Sequence, residues 1–393
     1  MLLEEIFEEI DKRQDEMVSI RRHLHENPEL SFEEVETAAY VAEFYKGKDV
    51  EMTENMGGKG LRVVIDTKKP GKTIALRADF DALPIQEETG LPFASRHDGV
   101  MHACGHDAHT AYLMVLADIL LEKKDQLRGK IVIIHQHAEE APPGGARQMI
   151  EAGVLDGVDN VFGIHVMSSM PLGTVNYHKG NTQTGRAKFR VKFQGLGGHG
   201  SMPHLSNDAI VAASHFVTAV QTIVSRRLSP FENGVVTIGS FAGEGTFNII
   251  KDSVTVTGDV RAMSDETSDV IEREVKRIAK GIGETFGMEV EINYAKDYPV
   301  LYNDPAMTDL VVDAIKEAKI PEVKEISDGG PQPPSEDFSF YAKERPSCFF
   351  YVGANKDDAP YPHHHPKFDI REDAMAICAK TMAAVTVKYL MEE

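Results

Sequence analysis

Apolar residues recur at helical spacing from about residue 3 to 25, at Leu3, Ile6, Ile10, Met17, Ile20 and Leu24, which predicts a helix with one buried face. Short apolar runs then alternate with helical stretches. TIALR (73–77), IVIIH (131–135) and VFGIHV (161–166) predict buried strands. HTAYLMVLADILLEKK (109–124) predicts a helix between two of them, and 144–152 another. Strands alternating with helices imply an α/β domain with a largely parallel sheet covered on both faces.

From about 184 the period changes. Ala187, Phe189, Val191 and Phe193 alternate with Lys188, Arg190, Lys192 and Gln194, the signature of a half-buried strand. A helix over 207–227, strands near 234–241 and 251–262, a helix over 265–286 and a strand over 288–294 follow. The order β-α-β-β-α-β is the ferredoxin-like plan. Helix 305–319, strand 348–353 and helix 371–391 then resume the α/β pattern. The expected fold class is α/β: a discontinuous α/β domain (1–183 and 296–393) with an α+β domain (184–295) inserted between its halves.

Composition narrows the function. The 393 residues carry 42 basic and 62 acidic side chains, a net charge of −20, so no basic surplus exists to neutralise nucleic acid or an anionic membrane. Three scattered cysteines, Cys104, Cys348 and Cys378, are not a disulfide framework. The acidic, amphipathic start lacks the basic and apolar regions of a signal peptide, and no apolar run approaches about 18 residues. A cytoplasmic protein is expected.

Candidate chemistry lies at or just beyond the predicted strands. Asp79 and Asp81 follow TIALR, Glu139 and Glu140 follow IVIIH, and His165 lies within FGIHV. Open parallel sheets bind ligands outside the carboxyl ends of their strands. The sharpest segment is MHACGHDAHT (101–110). Cys104 and His106, two apart before a helix, can both reach one small site on a turning backbone, and thiolate with imidazole suits zinc or a similar borderline ion. Asp107 or His109 could orient such ligands. Adjacent carboxylates at Glu139–Glu140 in a Pro/Gly loop need a cation or a proton, so one could bind metal while the other acts as general base. YPHHHPKFDI (361–370) offers three consecutive histidines, of which one is expected to ligate. GLGGHG (195–200) lies in the β-α-β-β-α-β block, so it is not a nucleotide fingerprint; GKT (71–73) is no P-loop; H-E-x-x-H and G-x-S-x-G do not occur.

In these residues, together with RRHLHENPELSFEE (21–34), LRADFDALPIQE (76–87), HAEEAPPGGA (137–146), GGHGSMPH (197–204) and SEDFSFY (335–341), the sequence resembles the amidohydrolase branch of the M20 metallopeptidase family over nearly its whole length. The resemblance implies a zinc-peptidase-like catalytic domain and two divalent ions, Zn, Mn, Co or Ni. The matching ligands are Cys104, His106, Glu140, His165 and His364, with Cys104 the candidate bridge and Asp81 and Asp107 behind them. It also implies Glu139 as general base and His199 as a carbonyl-polarising group reaching a neighbouring subunit. Asn248 and Arg261 would hold the substrate carboxylate, and the inserted domain would pair two copies into a homodimer. The implied substrates are N-acyl-amino acids or short peptides, the latter as for a dipeptidase or carboxypeptidase. His137 stands where the family commonly has Pro, and DGGPQPP (328–334) is unusually rich in Gly and Pro. Two rival readings are a Cys104-nucleophile amidase and a non-catalytic metal or amino-acid binder.

Overall fold

A computed structural model describes residues 2–356 and 361–392. The chain divides into two compact units: Met1–Gly180 with Tyr302–Gly330 and Asp337–Glu393, and Asn181–Leu301 with Pro331–Glu336.

The first unit is built on an eight-stranded sheet, in the order Glu51–Met56, Gly60–Asp66, Lys130–Gln136, Thr73–Asp79, Asn160–Met167, Ser347–Gly353, Thr174–Tyr177, Glu325–Asp328. Its four central strands, Lys130–Gln136 through Ser347–Gly353, run parallel. They are almost continuously buried, as expected of strands covered on both faces. The flanks are different. Glu51–Met56 and Gly60–Asp66 form an antiparallel hairpin that joins Lys130–Gln136 antiparallel, and Thr174–Tyr177 is antiparallel to Ser347–Gly353. The sheet is therefore mixed. The edge strand Glu51–Met56 has the sequence EMTENM and is mostly exposed. Polar edge strands lack the apolar run by which a strand is read, and they discourage edge pairing.

Helices His106–Glu122 and Ala374–Met391 pack against the central strands and against each other. Both are buried nearly all round, which explains their apolar composition. The expected N-terminal helix is two helices, Leu2–Lys12 and Gln14–Glu26, broken at Arg13 (φ −101°, ψ 15°). Arg13 turns its guanidinium to Glu16 at 2.7 Å and Asp118 at 2.8 Å. Ile10 and Met17 keep a two-turn interval across the break, so the apolar spacing could not show it.

The second unit has the element order Gly185–Gln194, Ala209–Arg226, Gly234–Ala242, Ser253–Ala262, Asp265–Phe286, Glu289–Tyr298. Its four strands are antiparallel, with Gly234–Ala242 and Glu289–Tyr298 at the edges. Ala187, Phe189, Val191 and Phe193 turn inward onto Phe216, Val220 and Ile271 of the helices, as the alternation predicts. Caps set the helix limits: Asp208 accepts from the N–H groups of Ile210 and Val211, Ser264 accepts from Thr267, and left-handed Gly287 ends Asp265–Phe286.

Among the described residues, two helices are long and apolar enough, by length and composition alone, to cross a bilayer, although polar residues interrupt both. Ala374–Met391 is 78% buried in the core, and Ala209–Arg226 lays Ala212, Phe216, Val220 and Ile223 onto the four-stranded sheet. The fold itself accounts for both.

Candidate metal centre

The parallel strands end at one place. Asp79 closes Thr73–Asp79, His165 lies near the end of Asn160–Met167, and Glu139 and Glu140 follow Lys130–Gln136. Cys104 and His106 arrive at the start of helix His106–Glu122. The residue between them, Gly105, is left-handed at φ +100°, and a Cβ there would lie 2.4 Å from Val166 Cγ2. Only glycine lets the turn approach the strand so closely.

Backbone acceptors set the histidine tautomers. His165 donates Nδ1–H to the Val166 carbonyl at 2.7 Å, which leaves Nε2 bare and 3.5 Å from Cys104 Sγ. His106 directs Nδ1 at the Asp81 carbonyl (3.0 Å) and Asp81 Oδ1 (3.1 Å). Its Nε2 is buried without a hydrogen-bond partner and lies 3.9 Å from the buried Glu140 Oε1. His364 Nε2 stands 3.2 Å from the same oxygen. The donor atoms of Cys104, His106 and His165 lie within 4.8 Å of one another, and so do those of Cys104, Glu140 and His364. Cys104 belongs to both groups.

The electrostatics call for a cation. Burial, reinforced by Glu140, Glu139 and Asp79, pushes the Cys104 thiol well above its ordinary value. Burial opposes charge on His106, but Asp79 and Asp81 outweigh it and raise the group to about 10. A divalent ion would replace these protons. Thiolate, imidazole and carboxylate donors with orphaned buried lone pairs fit zinc or another borderline divalent metal.

Behind the donors runs a buried polar frame. Asp81 orients two of them, taking His106 on Oδ1 and the Glu140 N–H (3.0 Å) and Ser31 Oγ (2.7 Å) on Oδ2. His109 uses both nitrogens, Nδ1 on Asp79 at 2.7 Å and Nε2 accepting the Val166 N–H at 2.9 Å, so it braces the His165 strand. Asp107 faces Arg21 (3.1 Å) and His25 (2.9 Å) and also accepts the Ala108 N–H, fixing the helix that carries His106. Arg77 joins Asp79 to Asp337, and the Asp337 N–H lies 3.4 Å from Glu139 Oε1. Sequence reading gave no role to Arg21, His25, Glu34, Arg77 or Asp337. They sit inside the quoted motifs, but their partners are distant in the chain.

The three consecutive histidines separate. His364, at φ +64°, turns to Glu140. His363 points inward, its ring 5.2 Å from that of His165, and burial beside His364 lowers it to about 3. His365 stacks on Tyr361 at 4.6 Å. His137 is buried against Phe32 and hydrogen-bonds Gln148 at 3.1 Å.

His199, Asn248 and Arg261 belong to the second unit. The short pairing of Gly198–His199 with Ile249–Ile250 brings His199 beside Asn248, whose carbonyl accepts the Gly200 N–H at 2.8 Å. His199 Nδ1 accepts the Ser201 N–H at 3.1 Å, so the neutral ring carries its proton on exposed Nε2. Arg261 binds Asp259 and Ser335, both at 3.0 Å.

An α/β sheet that gathers such donors at its strand ends defines a metal-dependent hydrolase. The sequence profile of peptidase family M20/M25/M40 matches residues 75–388. N-acetyl-L-cysteine deacetylase of Bacillus subtilis (strain 168) is 39% identical over 360 residues, 92% of this chain and 85% of that protein. A crystal structure of a provisionally named aminohydrolase from methicillin-resistant Staphylococcus aureus is 58% identical, with a TM-score of 0.95 over 98% of this chain and 99% of its own. The Bacillus subtilis YXEP protein, described as a dinuclear metal-binding peptidase of family M20, is 31% identical, with a TM-score of 0.84 over 97% of this chain and 99% of its own. The chain belongs to peptidase family M20/M25/M40 and is a hydrolase of amide bonds.

Proposed function

We propose that this protein removes the acyl group from N-acyl-amino acids at a centre of two divalent ions, Zn, Mn, Co or Ni. The observation that carries the reading is that two donor groups share Cys104. Cys104, His106 and His165 would hold one ion and Cys104, Glu140 and His364 the other, with the thiolate as bridge. When bound, such a pair supplies Lewis acidity, lowering the pKa of a held water and polarising the amide carbonyl.

Glu139 takes the proton of that water as general base and passes it to the departing amine. Its burial, its place next to Glu140 and its contact with the Asp337 N–H support this role. His199, with Nε2–H turned outward, suits donation to the carbonyl oxygen of a substrate held by a second subunit. Asn248 beside it and Arg261 are assigned to the substrate carboxylate. Asp259 already offsets part of the Arg261 charge, so that assignment leans on the family resemblance.

The second unit is assigned as the ferredoxin-like insertion that pairs two copies. Its edge strand Gly234–Ala242 exposes Val235 and Phe241, and helix Ala209–Arg226 exposes Ile210, Val211 and Val224. Exposed apolar side chains on the same unit as an open strand edge favour association. Sedimentation giving twice the chain mass supports this assignment, and a monomer at micromolar concentration rejects it.

A cysteine-nucleophile amidase fits poorly, because such a thiol needs a lowered pKa and this one is raised. The deciding experiment for the main reading is a panel of N-acetyl, N-benzoyl and dipeptide substrates, run after chelation with Zn, Mn, Co or Ni restored. Turnover of N-acyl-amino acids that needs the added metal supports it. Preference for dipeptides would shift it to a peptidase, and turnover indifferent to metal would reject it.

A further inference from the structure

His363 has no place in the ligand set, yet it touches two other segments that carry ligands. Its Nε2 accepts the Ser168 N–H at 3.2 Å, just past the strand that holds His165. A backbone N–H can only donate, so the neutral ring has its proton on Nδ1. That nitrogen is buried and faces the backbone of Cys104. The ring meets His165 edge to face, 70° between planes, and packs on Phe368 at 5.0 Å between centroids.

The next residue explains the arrangement. His364 is left-handed at φ +64°, a conformation costly for a residue with a Cβ and kept only where surroundings enforce it. It aims Nε2 at Glu140. On the backbone the turn is held by the His364 N–H donated to the Ala103 carbonyl at 2.8 Å. A side chain anchored one residue earlier is what stops such a turn from relaxing.

We propose that His363 is a positioning residue: by accepting the Ser168 N–H and wedging against His165, it locks the turn that presents His364 beside Glu140 and Cys104. It sets the spacing of the donors, so it should govern metal affinity and the geometry at sulfur. The inference rests on the two-ion reading above.

The test uses the full chain, stripped of metal and titrated with Co²⁺ or Zn²⁺ against a chelator of known affinity. His363→Leu keeps bulk and loses the acceptor; His363→Gln restores an amide oxygen near the Nε2 position. His363→Leu is expected to bind about 10–100-fold more weakly, the range for lost outer-shell partners, and to shift the Co²⁺–thiolate absorption band. His363→Gln is expected to recover most of the affinity. A His363→Leu protein within threefold of the parent, with an unchanged cobalt spectrum, overturns the proposal, as does a His363→Gln protein that binds no better than a folded His363→Leu protein. If His363→Leu does not fold, His363→Gln decides alone: near-parental affinity and spectrum support the hydrogen-bond role, and loss of either overturns it. Failure of the parent itself to take up two ions would instead reject the two-ion reading.

Discussion

Glu34 Oε1 accepts the backbone N–H of Ala138 at 2.8 Å, across 104 positions of sequence. Ala138 is left-handed at φ +51° and immediately precedes Glu139. The bond therefore helps set the backbone from which the acid pair projects. Burial, with Asp81 nearby, raises Glu34 to about 7. A carboxyl whose folded pKa lies above its unfolded value favours folding least when ionised, so stability falls as pH rises from about 4.5 to 7. Glu34→Gln mimics the neutral form. Urea unfolding of metal-free protein should show the parent losing, relative to Glu34→Gln, on the order of 2 kcal/mol between pH 5 and 8. A pH-independent difference would remove this account of Glu34.

Replacing Glu139 with Ala should leave metal content at the parental level while lowering kcat by about 10²–10⁴, the usual contribution of a positioned base. Elemental analysis beside steady-state kinetics checks both halves. Near-parental turnover would take the base role from Glu139.

Sharing of Cys104 makes an unequal prediction about metal loss. Cys104→Ala removes a donor from both groups, whereas His364→Ala removes one from a single group. After desalting, the cysteine variant is expected to retain less than one ion per chain and the histidine variant close to one. Equal stoichiometry in the two variants would argue against a bridge.

Metal uptake should release protons. His106 is raised to about 10 and the Cys104 thiol is raised, so both are protonated at pH 7 without metal and must lose a proton to ligate. Affinity for Zn²⁺ should therefore climb with pH, by roughly tenfold per unit for each proton displaced. Calorimetry in buffers of different ionisation enthalpy measures the protons directly.

If His199 serves a neighbouring subunit, two inactive variants should complement each other. A Glu139→Ala chain keeps His199, and a His199→Ala chain keeps Glu139. After dissociation and remixing, the mixed dimer has one site with an intact Glu139 and His199 of the partner subunit. Activity should return on mixing; its absence, with mixed dimers demonstrated, would place His199 outside the neighbour's site.

The sequence by itself determined the central strands and most helices, because fully buried strands need apolar runs and buried helix faces need periodic ones. It also marked Glu139, Glu140 and His165, since polar residues at the ends of such strands stand out, and Cys104 and His106, since thiol and imidazole two apart before a helix do so as well. It could not show the polar edge strand Glu51–Met56, where no apolar run exists, or the break at Arg13, which preserves the spacing on either side. Nor could it separate His363, His364 and His365. That choice is made by one left-handed residue and by contacts with Ser168, Glu140 and Tyr361, which lie far off or off the repeat. The tautomers of His106 and His165, the orphaned lone pairs and the double membership of Cys104 arise only when distant segments meet. Periodicity records which face is buried, whereas a metal centre depends on directions and distances that only packed backbone supplies.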